Sequence, residues 1–198
     1  MIRTLVLASR NEDKIEELRA TLKPFDITLK SSLDFPNLEE VEEDRTTLEG
    51  NALKKARYTF QATGLPSLSD DTGLEVDALD GRPGVYSARY AGEAATYEEN
   101  VEKLLKELEG VDVKNRGARF RTVAALVTEN ETHTFEGICR GKILKERRGT
   151  GGFGYDPLFL PENFDQTFAE LDSTTKNEIS HRGKAIQKFI EWLSNADS

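Results

Sequence analysis

Three times this chain places a Ser or Thr three residues ahead of a Glu, close to the start of a series of apolar residues at helical spacing. Ser9 and Glu12 precede Ile15, Leu18 and Leu22; Thr46 and Glu49 bracket the start of Leu48, Ala52 and Ala56; Thr96 and Glu99 precede Val101, Leu104, Leu105 and Leu108. In this spacing the hydroxyl and the carboxylate bond each other's backbone N–H at a helix start, so it predicts three helix beginnings. Between them lie short β-rich runs at residues 2–8, 68–76, 119–128 and 132–141, the last two joined by Glu-Asn-Glu as a hairpin. Ile186, Phe189, Ile190 and Leu193 mark a final helix. Strands mixed with helices, plus one hairpin, specify an α/β fold with a mixed sheet. No internal repeat, low-complexity tract or linker divides the 198 residues, which are expected to form one domain over 1–198.

A net charge of −9 argues against a protein built to grip a nucleic-acid polymer, which needs a basic field. It leaves room for a small anionic ligand in a local positive pocket. The single cysteine, Cys139, rules out an internal disulfide and reads as a small buried hydrophobe. No apolar run is long enough to span a bilayer and no signal peptide precedes the first strand, so a soluble cytoplasmic protein without a membrane partner is expected. The acidic run at 39–44 reads on its own as a solvated loop.

Four segments carry chemistry. Residues 69–92 (SDDTGLEVDALDGRPGVYSARYAG) begin with adjacent carboxylates, Asp70 and Asp71, which repel unless water or a cation separates them. With Thr72-Gly73 read as a turn and Leu74 and Val76 following, the pair is placed at the mouth of a buried strand, a seat for a hard metal ion. At residues 9–14 (SRNEDK) a strand runs into a capped helix whose free N–H groups and dipole favour an anion, with Ser9, Asn11 and Lys14 as added donors. Taken alone this segment also describes an ordinary cap beside a surface lysine. Residues 149–157 (GTGGFGYDP) open with four glycines in six residues, which let a backbone approach a ligand closely, and Asp156-Pro157, standing where a helix should open, excludes a dinucleotide fingerprint. Phe153 and Tyr155 either offer an aromatic face to a planar base or tuck into the core. Residues 176–182 (KNEISHR) gather Lys176, His181 and Arg182; with His133 the only other histidine, no zinc-site spacing exists. Arg182 can present a planar donor fork.

Taken in order, LASRNEDKIEEL, TLEGNALKKA, SDDTGLEVDAL, PGVYSARYAG, GTGGFGYDP and SHRGKA make the chain resemble the inosine/xanthosine triphosphate pyrophosphatases, enzymes that remove noncanonical purine nucleotides. The resemblance runs over nearly the whole chain. It implies a two-lobed α/β fold with a long mixed β-sheet flanked by helices and a nucleotide cleft between the lobes. It also implies a homodimer, a Mg²⁺ cofactor, and a small-molecule purine nucleoside triphosphate (ITP, dITP or XTP) split into the monophosphate and pyrophosphate. By this resemblance Asp71 is the general base and a metal carboxylate, and Glu43, beside Glu42, is a second metal acid. Asp70 stands next to the metal, where it orients the loop or a metal-bound water. The turn Ser9, Arg10, Asn11, Glu12, Asp13 and Lys14 takes the triphosphate with help from Lys55, and Thr72 offers a substrate hydroxyl. Phe153, Gly154, Tyr155 and Asp156, with Lys176, His181 and Arg182, form the base-recognition set. Three residues depart from the family pattern: Arg10 within the phosphate turn, Thr72 in place of a commoner Ser, and Gly50 in place of a common Glu. Adjacent residues of a strand face opposite sides, so only one of Asp70 and Asp71, taken as Asp71, is expected to reach the metal fully. Two other functions fit the same residues: a nucleotide sensor without catalysis, and a related pyrophosphatase with another base preference. A glycosidase fits poorly, because it needs its two acids on separate elements.

Overall fold

The protein is described here by a computed structural model covering residues 2–196. Its strands are β1 (Thr4–Leu7), β2 (Thr28–Ser31), β3 (Ser67–Val76), β4 (Pro83–Gly84), β5 (Gly117–Val127), β6 (Thr132–Ile143) and β7 (Phe159–Pro161). Its α-helices are α1 (Glu12–Leu22), α2 (Leu48–Thr63), α3 (Tyr97–Glu107), α4 (Ser173–Ile179) and α5 (His181–Ala196). The strands form one mixed sheet in the order β2-β1-β3-β5-β6-β7, with β4 on β3. β1 pairs parallel with both β2 and β3, whereas β3–β4 and β6–β7 are antiparallel. Parallel neighbours need long crossovers, and α1 and α2 supply them.

The chain divides into two compact units. The first contains the residues up to Asp71, Thr122–Gly137 and the residues from Lys184 on. In its core Leu5 and Leu7 of β1 meet Ile15, Leu18 and Leu22 of α1, Leu68 of β3, and Ile186, Phe189 and Leu193 of α5. These are the apolar positions that the helical spacing picks out. The second unit contains Thr72–Arg121 and Ile138–Gly183. Here Leu74 and Val76 pack with Val101 and Leu104 of α3, with Leu108 just after it, and with Phe120, Phe159 and Phe168. Cys139 is a buried thiol of this core that takes part in no disulfide, as its strand context suggests.

Helix α3 starts as the sequence predicts: the Glu99 N–H donates to Thr96 Oγ1 at 3.2 Å, and the Thr96 N–H donates to the Glu99 carboxylate at 2.7 Å. The other two starts are shifted. Asn11, not Ser9, caps α1, its Oδ1 accepting the Lys14 N–H at 3.0 Å, while Ser9 Oγ accepts the Asn11 N–H at 3.1 Å. Thr47, not Thr46, caps α2 by accepting the Gly50 N–H at 3.0 Å. A larger correction concerns Thr72-Gly73, which is no turn: both residues lie inside the ten-residue strand β3. Pairing with neighbouring strands and the Leu74 N–H bond to Ser87 Oγ at 2.8 Å override the turn chemistry of Asp-Thr-Gly. Asp70 and Asp71 therefore lie within a strand and not at its mouth. Among the described residues no helix is long and apolar enough to cross a membrane.

Candidate active site

Two clusters of side chains carry chemistry, one in each unit. In the first unit the alternation of β3 sorts the two aspartates. Leu68 packs in the core with α1, and two residues on, the Asp70 carboxylate accepts from Lys14 Nζ of α1 at 3.1 Å. Ser69 Oγ donates to the Ala52 carbonyl of α2, and two residues on, Asp71 Oδ2 accepts from Asn51 Nδ2 of α2 at 3.0 Å. The two carboxylates thus have partners on different helices, as a period of two requires. Each residue is 5% exposed.

Lys55 stands one turn after Asn51 on the same helix face. Its ammonium donates to Glu43 Oε1 at 2.5 Å and to the Asp70 carbonyl at 2.7 Å, and lies 3.8 Å from Asp71 Oδ1. Glu43 and Asp71 therefore share one cation. Of the neighbouring acids, Glu43 turns its carboxylate to this cluster, whereas Glu42 is exposed and gives its carbonyl to Lys54 Nζ at 2.7 Å. The acidic run is not a free solvated loop. Lys54 also pairs with Asp44 at 2.8 Å, Asn51 Oδ1 accepts the Arg45 N–H at 2.9 Å, and Arg10 Nη2 donates to the Leu38 carbonyl at 2.5 Å. Arg10 thus fastens the loop that delivers Glu43. Gly50 also finds its reason here, since a Cβ at that position would approach Arg45 Cβ to 3.0 Å.

Burial pushes the Asp71 carboxyl up to about 6; Glu43 adds to the rise, while Lys55, Lys14 and the Asn51 hydrogen bond oppose it. For Lys55 burial works against the charge, yet Asp71, Glu43 and Asp70 outweigh it and raise its pKa. A half-relieved carboxylate beside a firmly charged ammonium suits proton transfer near neutral pH. Glu12 and Asp13 are exposed in the first turn of α1, where acidic side chains complement the helix dipole. No three or more His, Cys, Asp or Glu side chains among the described residues are grouped to hold a metal by themselves.

The second cluster forms on the glycine-rich loop. Gly152 has a φ of 68°, and a Cβ there would collide with the Asp156 carboxylate. That close approach lets Asp156 Oδ2 accept both the Phe153 N–H and Lys176 Nζ of α4, each at 2.9 Å. Gly154 follows with a φ of 60° and turns the chain towards Tyr155. Lys176 Nζ lies 4.9 Å and Arg182 Cζ 5.3 Å from the centre of the Phe153 ring. Arg182 Nη2 also reaches Thr72 Oγ1 at 3.5 Å. Phe153, Asp156, Lys176, Arg182 and Thr72 are therefore brought together. Tyr155 is not offered to a ligand: its ring is buried in the core and its hydroxyl donates to the Ser87 carbonyl at 2.9 Å. Burial, with the nearby Tyr90, pushes that phenol upwards. His181 is 4% exposed and stacks on Phe120 at 4.5 Å and 16°, so its ring faces the core. Two residues, Asn51 in the first cluster and Tyr97 in the second, go beyond the site residues read from the sequence. Asn51 was signalled by its four-residue spacing from Lys55, while Tyr97, whose ring lies 5.9 Å from Phe153, carried no local signal.

The Ham1 family model matches residues 5–192. The chain belongs to the Ham1 family. A protein named dITP/XTP pyrophosphatase from Flavobacterium johnsoniae is 52% identical over 190 residues, covering 96% of this chain and 97% of that one. A protein of the same name from Geobacter sulfurreducens is 54% identical, covering 96% of each. A HAM1 protein from Coxiella burnetii has a similar fold, with a TM-score of 0.89 and 40% identity, over 98% of this chain and 100% of that one. The α/β fold and the family resemblance drawn from the motifs are both shown by these similarities. This Ham1 chain also spans nearly the full length of its relatives.

Proposed function

We propose that this Ham1 protein hydrolyses noncanonical purine nucleoside triphosphates, ITP, dITP and XTP, to the monophosphate and pyrophosphate, and so cleanses the nucleotide pool. The observation that carries the proposal is Asp71: a buried carboxylate, up at about 6, joined to Glu43 through Lys55 and steadied by Asn51. Relatives about half identical over nearly their full length carry the name dITP/XTP pyrophosphatase, which supports the same reaction here.

Asp71 accepts the proton of the attacking water, and the anhydride bond that joins the monophosphate to the pyrophosphate breaks. Lys14 and Lys55 neutralise phosphate oxygens. The free N–H groups at the start of α1 add donors, with Ser9 and Asn11 shaping the turn. Glu12 and Asp13 contribute backbone only, since their carboxylates would repel phosphate. The donor set fits Mg²⁺, which takes one or two carboxylates and completes its shell with substrate phosphates instead of a protein cage. Glu43 and Asp71 would hold it. When bound, it supplies charge neutralisation of the phosphates and of the leaving pyrophosphate.

Phe153 gives the purine a stacking face, and Lys176 and Arg182 offer donors to a 6-oxo group. Adenine would turn amino hydrogens towards these donors, a mismatch of ~1–3 kcal/mol for each buried unpaired group. Asp156 fixes the Lys176 ammonium, and Thr72 steadies Arg182. We take residues 1–198 to act as a single two-lobed domain, working as a cytoplasmic homodimer.

Pyrophosphate release from ITP, XTP, dITP, GTP and ATP, with Mg²⁺ and with EDTA, tests the proposal. Mg²⁺-dependent release favouring ITP and XTP is the expected result. Binding of ITP without release from any substrate would make the protein a sensor.

A further inference from the structure

Tyr97 is the first residue of α3 and is 44% exposed. The capping box of that helix is complete without it, because Thr96 and Glu99 satisfy each other. Its ring instead packs against Phe153 at 5.9 Å, tilted by 34°. The neighbouring residue Glu98 forms an ion pair with Arg147, and Glu102 approaches the same guanidinium at 3.9 Å. The first two turns of α3 thus contact the chain just before the glycine-rich loop, at Arg147, and within it, at Phe153. The backbone of Phe153 is fixed by its N–H bond to Asp156, but a half-buried phenyl ring still needs lateral contact to hold one orientation.

We infer that Tyr97 is a positioning residue for base binding: it holds the Phe153 ring in the orientation that receives a planar heteroaromatic base. The inference rests on the reading of Phe153 as the stacking face. Lys176 and Arg182 lie over the same ring, but they are committed to Asp156 and Thr72 and to the polar edge of the base. Tyr97 is the aromatic neighbour with no charge to spend on the substrate. Its contribution is preorganisation, felt equally in the bound substrate and in the transition state. Such uniform binding appears in KM and leaves kcat in place.

Steady-state kinetics with ITP test this in four proteins: wild type, Tyr97→Ala, Tyr97→Phe and Phe153→Ala, with inorganic tripolyphosphate as a competitive inhibitor that has no base. Tyr97→Ala should raise KM for ITP roughly 2- to 10-fold, the range of one aromatic pair. Its kcat and its tripolyphosphate inhibition constant should stay at wild-type values, and Tyr97→Phe should restore KM. If Phe153→Ala raises KM and Tyr97→Ala does not, Tyr97 has no such role and the inference falls alone. If neither variant moves KM, the stacking role of Phe153 falls and takes the inference with it. A Tyr97→Ala protein that weakens tripolyphosphate as much as ITP would show general damage to the fold and overturn the inference.

Discussion

Burial pushes the Asp71 carboxyl up to about 6, and the sign of that shift makes two predictions. Its charged form is disfavoured in the folded chain relative to an unfolded carboxylate near 3.9. The stability linked to Asp71 is therefore fully present below about pH 4 and is lost as pH rises through about 6. Without metal, Asp71→Asn should be the more stable protein at pH 8, by an amount on the order of 3 kcal/mol, and nearly equal to wild type at pH 4. Thermal melts of both proteins across that range check it; a parallel pH dependence in the two would contradict the shift. Catalytically the same substitution removes the base and should lower kcat by ~10²–10⁴-fold. Arg182→Ala should raise KM for ITP and narrow the ITP/ATP preference, measured as the ratio of kcat/KM; an unchanged ratio would remove Arg182 from base recognition.

At the scale of elements, α2 organises the carboxylate cluster of the first unit. Asn51 and Lys55, four residues apart, meet Asp71 and Glu43, and Asn51 also binds the backbone of the loop that carries Glu43. Asn51→Leu would strand the Arg45 N–H and remove a partner of Asp71, a loss of ~1–3 kcal/mol. Urea denaturation should show that loss, together with a weaker response of activity to Mg²⁺. Much of this was legible in the chain. The box at Thr96 and Glu99 satisfies only local requirements, so it can be read without the fold. The caps of α1 and α2 differ from the simple spacing because Asn11 and Thr47 sit nearer the first free N–H groups. Asp-Thr-Gly at 71–73 carries turn chemistry, and only the sheet partners of β3 make it extended. The tie from Arg10 to Leu38 and the packing of Tyr97 on Phe153 join residues far apart in sequence, and no local pattern announces such pairs.

For the whole molecule, the acidic balance of −9 makes a polyanionic substrate dependent on cations. Lys14 and Lys55 already face carboxylates, so their charge alone is a weak lure for a triphosphate. Added Mg²⁺ and ITP together should stabilise Asp71→Asn, which turns over slowly, by RT ln(1 + [L]/Kd); at a hundredfold excess over Kd this is ~2.7 kcal/mol. ATP at the same concentration should stabilise it less. The central claim, that Asp71 is the base of a metal-assisted pyrophosphatase, is tested most directly by the pH dependence of kcat for pyrophosphate release from ITP at saturating Mg²⁺. Wild type should lose activity on the acid side as one carboxylate is protonated, and Asp71→Asn should be slower by at least ~10²-fold with that acid limb abolished. An Asp71→Asn protein that keeps near-normal turnover and the same acid limb would contradict the account.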